Sequence, residues 1–208
     1  MLRCITAVLM MERGCAMTSL DSGLNLREAR DAYLAENGFS TAAYTDHWVR
    51  FKFGPLPIIF PATRTRREAI PFHDLHHVLT GYKATPVGES EIGAWEVASG
   101  LKRLWAGWVL DLNVMSLGML YAPRRTYRAF IRGRHSRNLY GTEYTDRLLT
   151  TSVGDMRAQI GLAGEPPQAT TGDKLAFAFW LCAGGALNLL YAVIVLVPLA
   201  ALGWWLWA

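Results

Sequence analysis

Hydrophobic positions along this chain recur mostly at three- and four-residue steps. Ile92, Trp95, Ala98, Leu101, Trp105, Trp108, Leu112, Met115 and Met119 form one wide stripe. That spacing predicts a single helix from near Glu89 until Pro123 ends the pattern. The stripe is rich in Trp and Met, which suits either a packed core or the lining of a lipid groove. Upstream, the charge-dense Asn25–Gly38 stretch predicts a surface helix that stops at Asn37-Gly38. "FGPLPIIFPATRTRREA" carries three prolines and predicts an extended connection. A further helix is expected from about Arg67 to Leu79, with Gly81 as its C-cap. Leu148, Leu149, Val153, Met156 and Ile160 mark a last amphipathic helix. No stretch alternates strongly enough to support a sheet and no segment repeats, so the expected class is all-α.

The C-terminal pattern is different in kind. Leu175 to Ala208 runs for 34 residues without one charge. A spanning helix needs roughly 20 apolar residues. The expected arrangement is one span from about Leu175 to Val197, split from the rest by Pro198, with "GWWLWA" at the far interface where indole rings settle. "GLAGEPPQATTGD" reads as a flexible linker before it. The organisation is therefore an N-terminal extension (1–24), a helical domain (25–162), a linker (163–174) and a membrane segment (175–208). Arg147, Arg157 and Lys174 flank the span and favour keeping the main domain on the cytoplasmic side. At the other end, the apolar run Ile5 to Met11 is only seven residues long and is closed by Glu12 and Arg13. It lacks a small-residue cleavage site, which argues against a signal peptide. Met17 would serve equally well as a start.

Composition agrees with a membrane-associated protein. Hydrophobic residues make up 51 % and charged residues 18 %. The net charge of +4 fits an anionic membrane face or acidic ligands. It does not argue for nucleic acid, since zinc-finger spacing, RNP-like aromatic motifs and long Lys tracts are missing from the sequence. Six arginines fall between Arg124 and Arg137, either as a solvated helix face or as a contact for anionic lipid or a ring carboxylate. Cys4, Cys15 and Cys182 are odd in number and widely spread, which suggests a reducing compartment.

The candidate chemistry lies in "PFHDLHHVLTGYKATPVGESEIGAWE", Pro71 to Glu96, with three histidines and four carboxylates. On a helix His73 and His77 point from the same face, the spacing at which two imidazoles bind one metal. Asp74 sits about 60° round the helix from His77. Glu89 follows His77 after an eleven-residue gap that contains two glycines and a proline, enough to turn the chain back in a helical hairpin. His73, Asp74, His77 and Glu89 are thus the expected ligands. Two imidazoles and two carboxylates suit Zn2+, and they also suit Fe2+ or Mn2+. His76 points off this face, toward packing or support of the ligands. Glu91 and Glu96 are candidates for supporting carboxylates or for the surface.

"HDLHH", eleven residues and Glu89 together resemble the HDxxH-x11-E motif of the Coq4 family of ubiquinone-biosynthesis proteins. The surroundings are similar too: "HDLHHVLTG", "VGE" at Val87–Glu89, "WE" at Trp95-Glu96 and "NLY" at Asn138–Tyr140, over roughly Arg27 to Leu162. The resemblance implies a mostly helical domain with a zinc-type site at His73, Asp74, His77 and Glu89, and a hydrophobic groove for a polyprenyl tail. It further implies a role in ubiquinone biosynthesis, on a polyprenylated quinone precursor or another isoprenoid lipid. The reaction implied is C1 oxidative decarboxylation of a polyprenylated benzoate ring. The alternative implied is a non-catalytic, lipid-binding organiser of the other ubiquinone-biosynthesis enzymes; a homo-oligomer is among the expected partners. A spanning C-terminal tail departs from the family's pattern. A third reading, a membrane metallohydrolase, would rest on the metal alone, because the sequence carries neither GxSxG nor HExxH.

Overall fold

The computed structural model describes residues 23–53, 56–165 and 167–207. The N-terminal extension, with Ile5–Met11, Cys4, Cys15 and Met17, lies outside the described residues apart from its last two positions. The chain is mostly helical and divides into two units. One takes the chain up to Ala84 and returns for Ser136–Pro166; the other takes Thr85–His135 and Pro167–Ala208.

In the first unit, α1 (Leu26–Asn37) starts on a capping box. The Asn25 side chain accepts from the Glu28 N–H while Glu28 accepts from the Asn25 N–H. Gly38 closes the helix in the left-handed conformation, as the Asn37-Gly38 pair predicts. The unit departs from an all-helical reading at an antiparallel hairpin, β1 (Trp48–Phe53) with β2 (Leu56–Pro61), paired from Trp48↔Pro61 to Phe53↔Leu56. The expected extended connection is indeed extended, but it is paired. Val49, Phe51 and Phe53 alternate with Arg50 and Lys52, a short period-two signal hidden by the prolines that follow. Those prolines are tolerated because both strands of a two-stranded sheet are edges.

α2 (Arg64–Thr80) carries the histidines. It is capped by the Thr63 side chain and ends at Gly81, whose φ of 77° suits a residue without Cβ. Two short helices, α6 (Asp146–Leu149) and α7 (Val153–Gln159), complete this unit. The Arg157 guanidinium on α7 donates to the carbonyls of Val78 and Leu79 at 2.9 and 2.8 Å. It thereby satisfies carbonyls that the last turn of α2 leaves open. Leu26, Leu75, Leu79, Leu139 and Val153 form the buried centre.

The second unit corrects the long helix expected between Glu89 and Pro123. There are two helices, α3 (Pro86–Ser99) and α4 (Trp105–Tyr121). The break falls at Gly100, with φ 91°, and Lys102, with φ 54°. The apolar rhythm continues across it because Leu101 is itself fully buried. α4 runs back along α3, and α5 (Pro123–Arg134) then runs parallel to α3. Glycines permit the close packing. A Cβ on Gly118 would collide with the Ser90 side chain, and one on Gly133 with the Trp95 carbonyl. Ser90 also meets Thr126 at 3.2 Å, and Arg125 grips Glu91 with two bonds of 2.9 and 2.7 Å.

α8 (Thr171–Trp207) is one helix of 37 residues, long and apolar enough to cross a membrane. It begins inside the expected linker and continues through Pro198, which was expected to split the run. Proline removes one N–H and so one bond to the carbonyl of Ile194, a loss that apolar helices tolerate. Its first half packs on α4 and α5. Trp180 stacks on Trp108 at 4.7 Å, and Phe177 meets Tyr127 and Phe130 edge-on. Asn188 bonds both Asn113 and Ser116. At its start Asp173 accepts from Thr170, Arg134 and His135.

Candidate metal centre

α2 sets His73 and His77 one turn apart, and the two rings meet nearly perpendicular, at 89°. Their Nε2 atoms lie 3.1 Å apart. Two Zn–N bonds of about 2.0–2.1 Å at a tetrahedral angle separate their nitrogens by about 3.3 Å, so the pair already has the spacing of two ligands on one ion. The tautomer of His77 follows from its other nitrogen. Nδ1 lies 2.8 Å from the Tyr82 carbonyl, which can only accept. Nδ1 therefore carries the hydrogen, and the neutral ring offers its Nε2 lone pair. Such a second hydrogen bond is what metal-binding imidazoles make. Gly81 creates it, since its left-handed turn brings the Tyr82 carbonyl back onto the last turn of α2. Tyr33 stacks on the His77 ring at 5.2 Å.

Glu89 stands in the first turn of α3, behind the Thr85 cap and Pro86. One ligand atom from each of His73, His77 and Glu89 lies within 4.8 Å of the other two, so these three could hold a metal ion. His77 is buried, and His73 and Glu89 are half-buried.

Asp74, the fourth expected ligand, is not in this group. Its Oδ2 accepts the Tyr44 hydroxyl at 2.7 Å, and its side chain is buried. Burial, and then the Asp74 charge and this hydrogen bond, push the Tyr44 phenol well above its ordinary pKa. Tyr44 therefore remains a donor to Asp74. Burial lowers the Arg66 guanidinium, and the charge of Asp74 offsets part of that.

His76 does other work. It is fully buried, its Nε2 accepts the Leu139 N–H at 2.9 Å, and Tyr140 packs edge-on at 4.7 Å. This fixes the "NLY" segment against α2. Glu91 is engaged by Arg125, and Glu96 is fully buried on α3. Tyr33, Tyr44 and Tyr82 were not singled out by the sequence reading. Only Tyr82, next to the capping glycine, left a trace of its role there.

Comparison with protein-family models, curated proteins and solved structures found no match to this chain.

Proposed function

We propose that His73, His77 and Glu89 hold a divalent metal, Zn2+ by donor chemistry with Fe2+ or Mn2+ also accommodated, at a membrane-anchored active site. The substrate proposed is a polyprenylated benzoate precursor of ubiquinone, processed at ring C1. The observation that carries this reading is the convergence of the three ligand atoms within 4.8 Å. The motif resemblance supplies the substrate class. Two imidazoles and one carboxylate leave a four-coordinate ion with a position for substrate, the pattern of catalytic rather than structural sites. When bound, such an ion supplies Lewis acidity toward a ring carboxylate or phenolate.

The chain's own residues do the rest. The Tyr82 carbonyl holds His77 in the ligating tautomer, and Tyr33 fixes the plane of its ring. Replacing the ring carboxyl by hydroxyl consumes water and releases CO2, two protons and two electrons, so an external two-electron oxidant is required. A polyprenyl substrate stays in the bilayer, which accounts for an anchor on the enzyme. α8 is proposed as that anchor, with the main domain on the cytoplasmic side, supported by Lys174 immediately before the apolar run.

The test is the quinone profile of cells lacking the gene, complemented at equal protein level with wild type or His73→Ala. The expected result is loss of ubiquinone and accumulation of a carboxylated polyprenyl precursor, corrected by wild type alone. Equal rescue by His73→Ala would place the metal outside the chemistry and favour the organising role. An unchanged profile in the deletion would remove the pathway assignment.

A further inference from the structure

The second unit carries an apolar surface that its own packing does not use. On α4 the exposed residues are Trp105, Leu110, Leu117, Leu120 and Tyr121, every one apolar or aromatic. The one acidic or basic side chain of the helix, Asp111, is buried. A helix facing water places its charged residues outward, and α4 inverts that pattern. At about 100° per residue, Leu110, Leu117, Leu120 and Tyr121 fall within one arc of about 100°. Leu120 is 81 % exposed.

This face is continuous with α8. The two helices run parallel, with Trp108 level with Trp180 and Ser116 level with Asn188. Their contact uses small residues, one amide–amide bond and one amide–hydroxyl bond. A Cβ on Gly184 would sit 2.6 Å from the Leu112 carbonyl oxygen, and Asn188 ties Asn113 to Ser116. Helices that pack within lipid use the same devices. Beyond Asn188, α8 leaves the unit. From Leu189 to Trp207 its described side chains are exposed, except for half-buried Ala192. Those 19 residues rise about 28 Å, close to the roughly 30 Å thickness of a hydrocarbon core. Trp204, Trp205 and Trp207 then fall at the far interface.

The near boundary of the bilayer is thereby set at Leu189. By the parallel register Leu117 stands level with it, and Leu120 about one turn deeper. Arg124 and Arg128 are exposed just past the α4–α5 turn, within reach of lipid phosphates by snorkelling. We propose that the α4–α5 turn is a second membrane contact, with Leu117, Leu120 and Tyr121 seated in the acyl layer beside α8 and the arginines on anionic headgroups. The inference rests on α8 spanning the bilayer. It moves the crossing from Leu175–Val197 to Leu189–Trp207.

The test uses the full chain with its cysteines replaced by serine, reconstituted in phosphatidylcholine vesicles containing an anionic phospholipid. Single spin labels at Leu117→Cys, Leu120→Cys, Leu175→Cys and Leu196→Cys report collision with oxygen against a water-soluble nickel chelate. The labelled side chains are exposed, so the packing is left intact. The expected result is a lipid environment at positions 117, 120 and 196, and an aqueous one at 175. Aqueous signals at 117 and 120 with a lipid signal at 196 would overturn the second contact while leaving α8 as the span. An aqueous signal at 196 would remove the span itself. Shielding from both reagents at 117, with spin–spin broadening, would show that a second copy covers the face, and would also overturn the proposal.

Discussion

Replacing His76 by alanine should destabilise the protein strongly while leaving metal binding in place. The ring is fully buried, accepts the Leu139 N–H at 2.9 Å and packs edge-on against Tyr140. Removing it leaves a buried backbone donor without its acceptor, which costs about 1–3 kcal/mol. The lost aromatic contact adds about 0.5–1.5 kcal/mol. The total is about 1.5–4.5 kcal/mol, and for a chain of this size each kcal/mol lowers the melting temperature by about 2–4 °C. The expected shift in detergent is therefore about 3–18 °C downward. Glutamine can place its amide oxygen near the position of Nε2, so His76→Gln should recover part of the loss. Elemental analysis of the folded variants should give the metal content of wild type. Loss of metal in His76→Ala below its melting temperature would place His76 among the ligands and refute this division of labour among the three histidines. A shift below about 1 °C would refute the assigned hydrogen bond.

Gly118→Val drives its Cβ into Ser90 between α3 and α4, and should cost about 1–3 kcal/mol of overpacking in thermal melts. Tyr44→Phe removes the hydrogen bond to buried Asp74 and should cost about 1.5–3 kcal/mol near neutral pH. Because the folded phenol is raised above its unfolded value of about 10, its contribution is complete below that pH and lost as pH rises beyond it, so melting of Tyr44→Phe should fall less steeply above about pH 10. Truncation after Asn188 keeps the α4 and α5 contacts of α8 and should melt like wild type, with the remaining vesicle binding weakened but not abolished by salt. Truncation after Lys174 also removes Phe177, Gly184 and Asn188 and should melt lower, measured by circular dichroism on both truncated chains.

The helix ends at Gly38 and Gly81 were legible in the sequence, while the starts capped by Thr63 and Thr85 lie about three residues before the expected ones. Asn25, Gly38 and Gly81 act in the structure as their residue types imply. The break at Gly100 was hidden because Leu101 is buried and keeps the apolar rhythm in step across two antiparallel helices. Periodicity reports which residues face a core, and it cannot tell whether one helix or two supplies them. The hairpin was missed because its alternation covers only Val49 to Phe53, while its second strand carries prolines that read as an interruption. The two imidazoles could be placed from their spacing alone, since four residues is a fixed geometric relation on any helix. Their surroundings could not, because Tyr33 reaches His77 and Tyr44 reaches the neighbouring Asp74 from distant parts of the chain.

Asp74 shows where spacing stops being informative. A residue three positions before His77 is near enough to share its face and far enough round to serve another neighbour. What decides between the two is a side chain elsewhere in the sequence. Tyr44 takes the carboxylate at 2.7 Å, and the resulting buried pair has its own reason to persist. The donors that converge within 4.8 Å are His73, His77 and Glu89, and whether Asp74 joins them through its other oxygen sets the chemistry open to the proposed site. Four protein donors would complete a tetrahedral ion and make it a staple between helices, whereas three leave it exchangeable water or substrate.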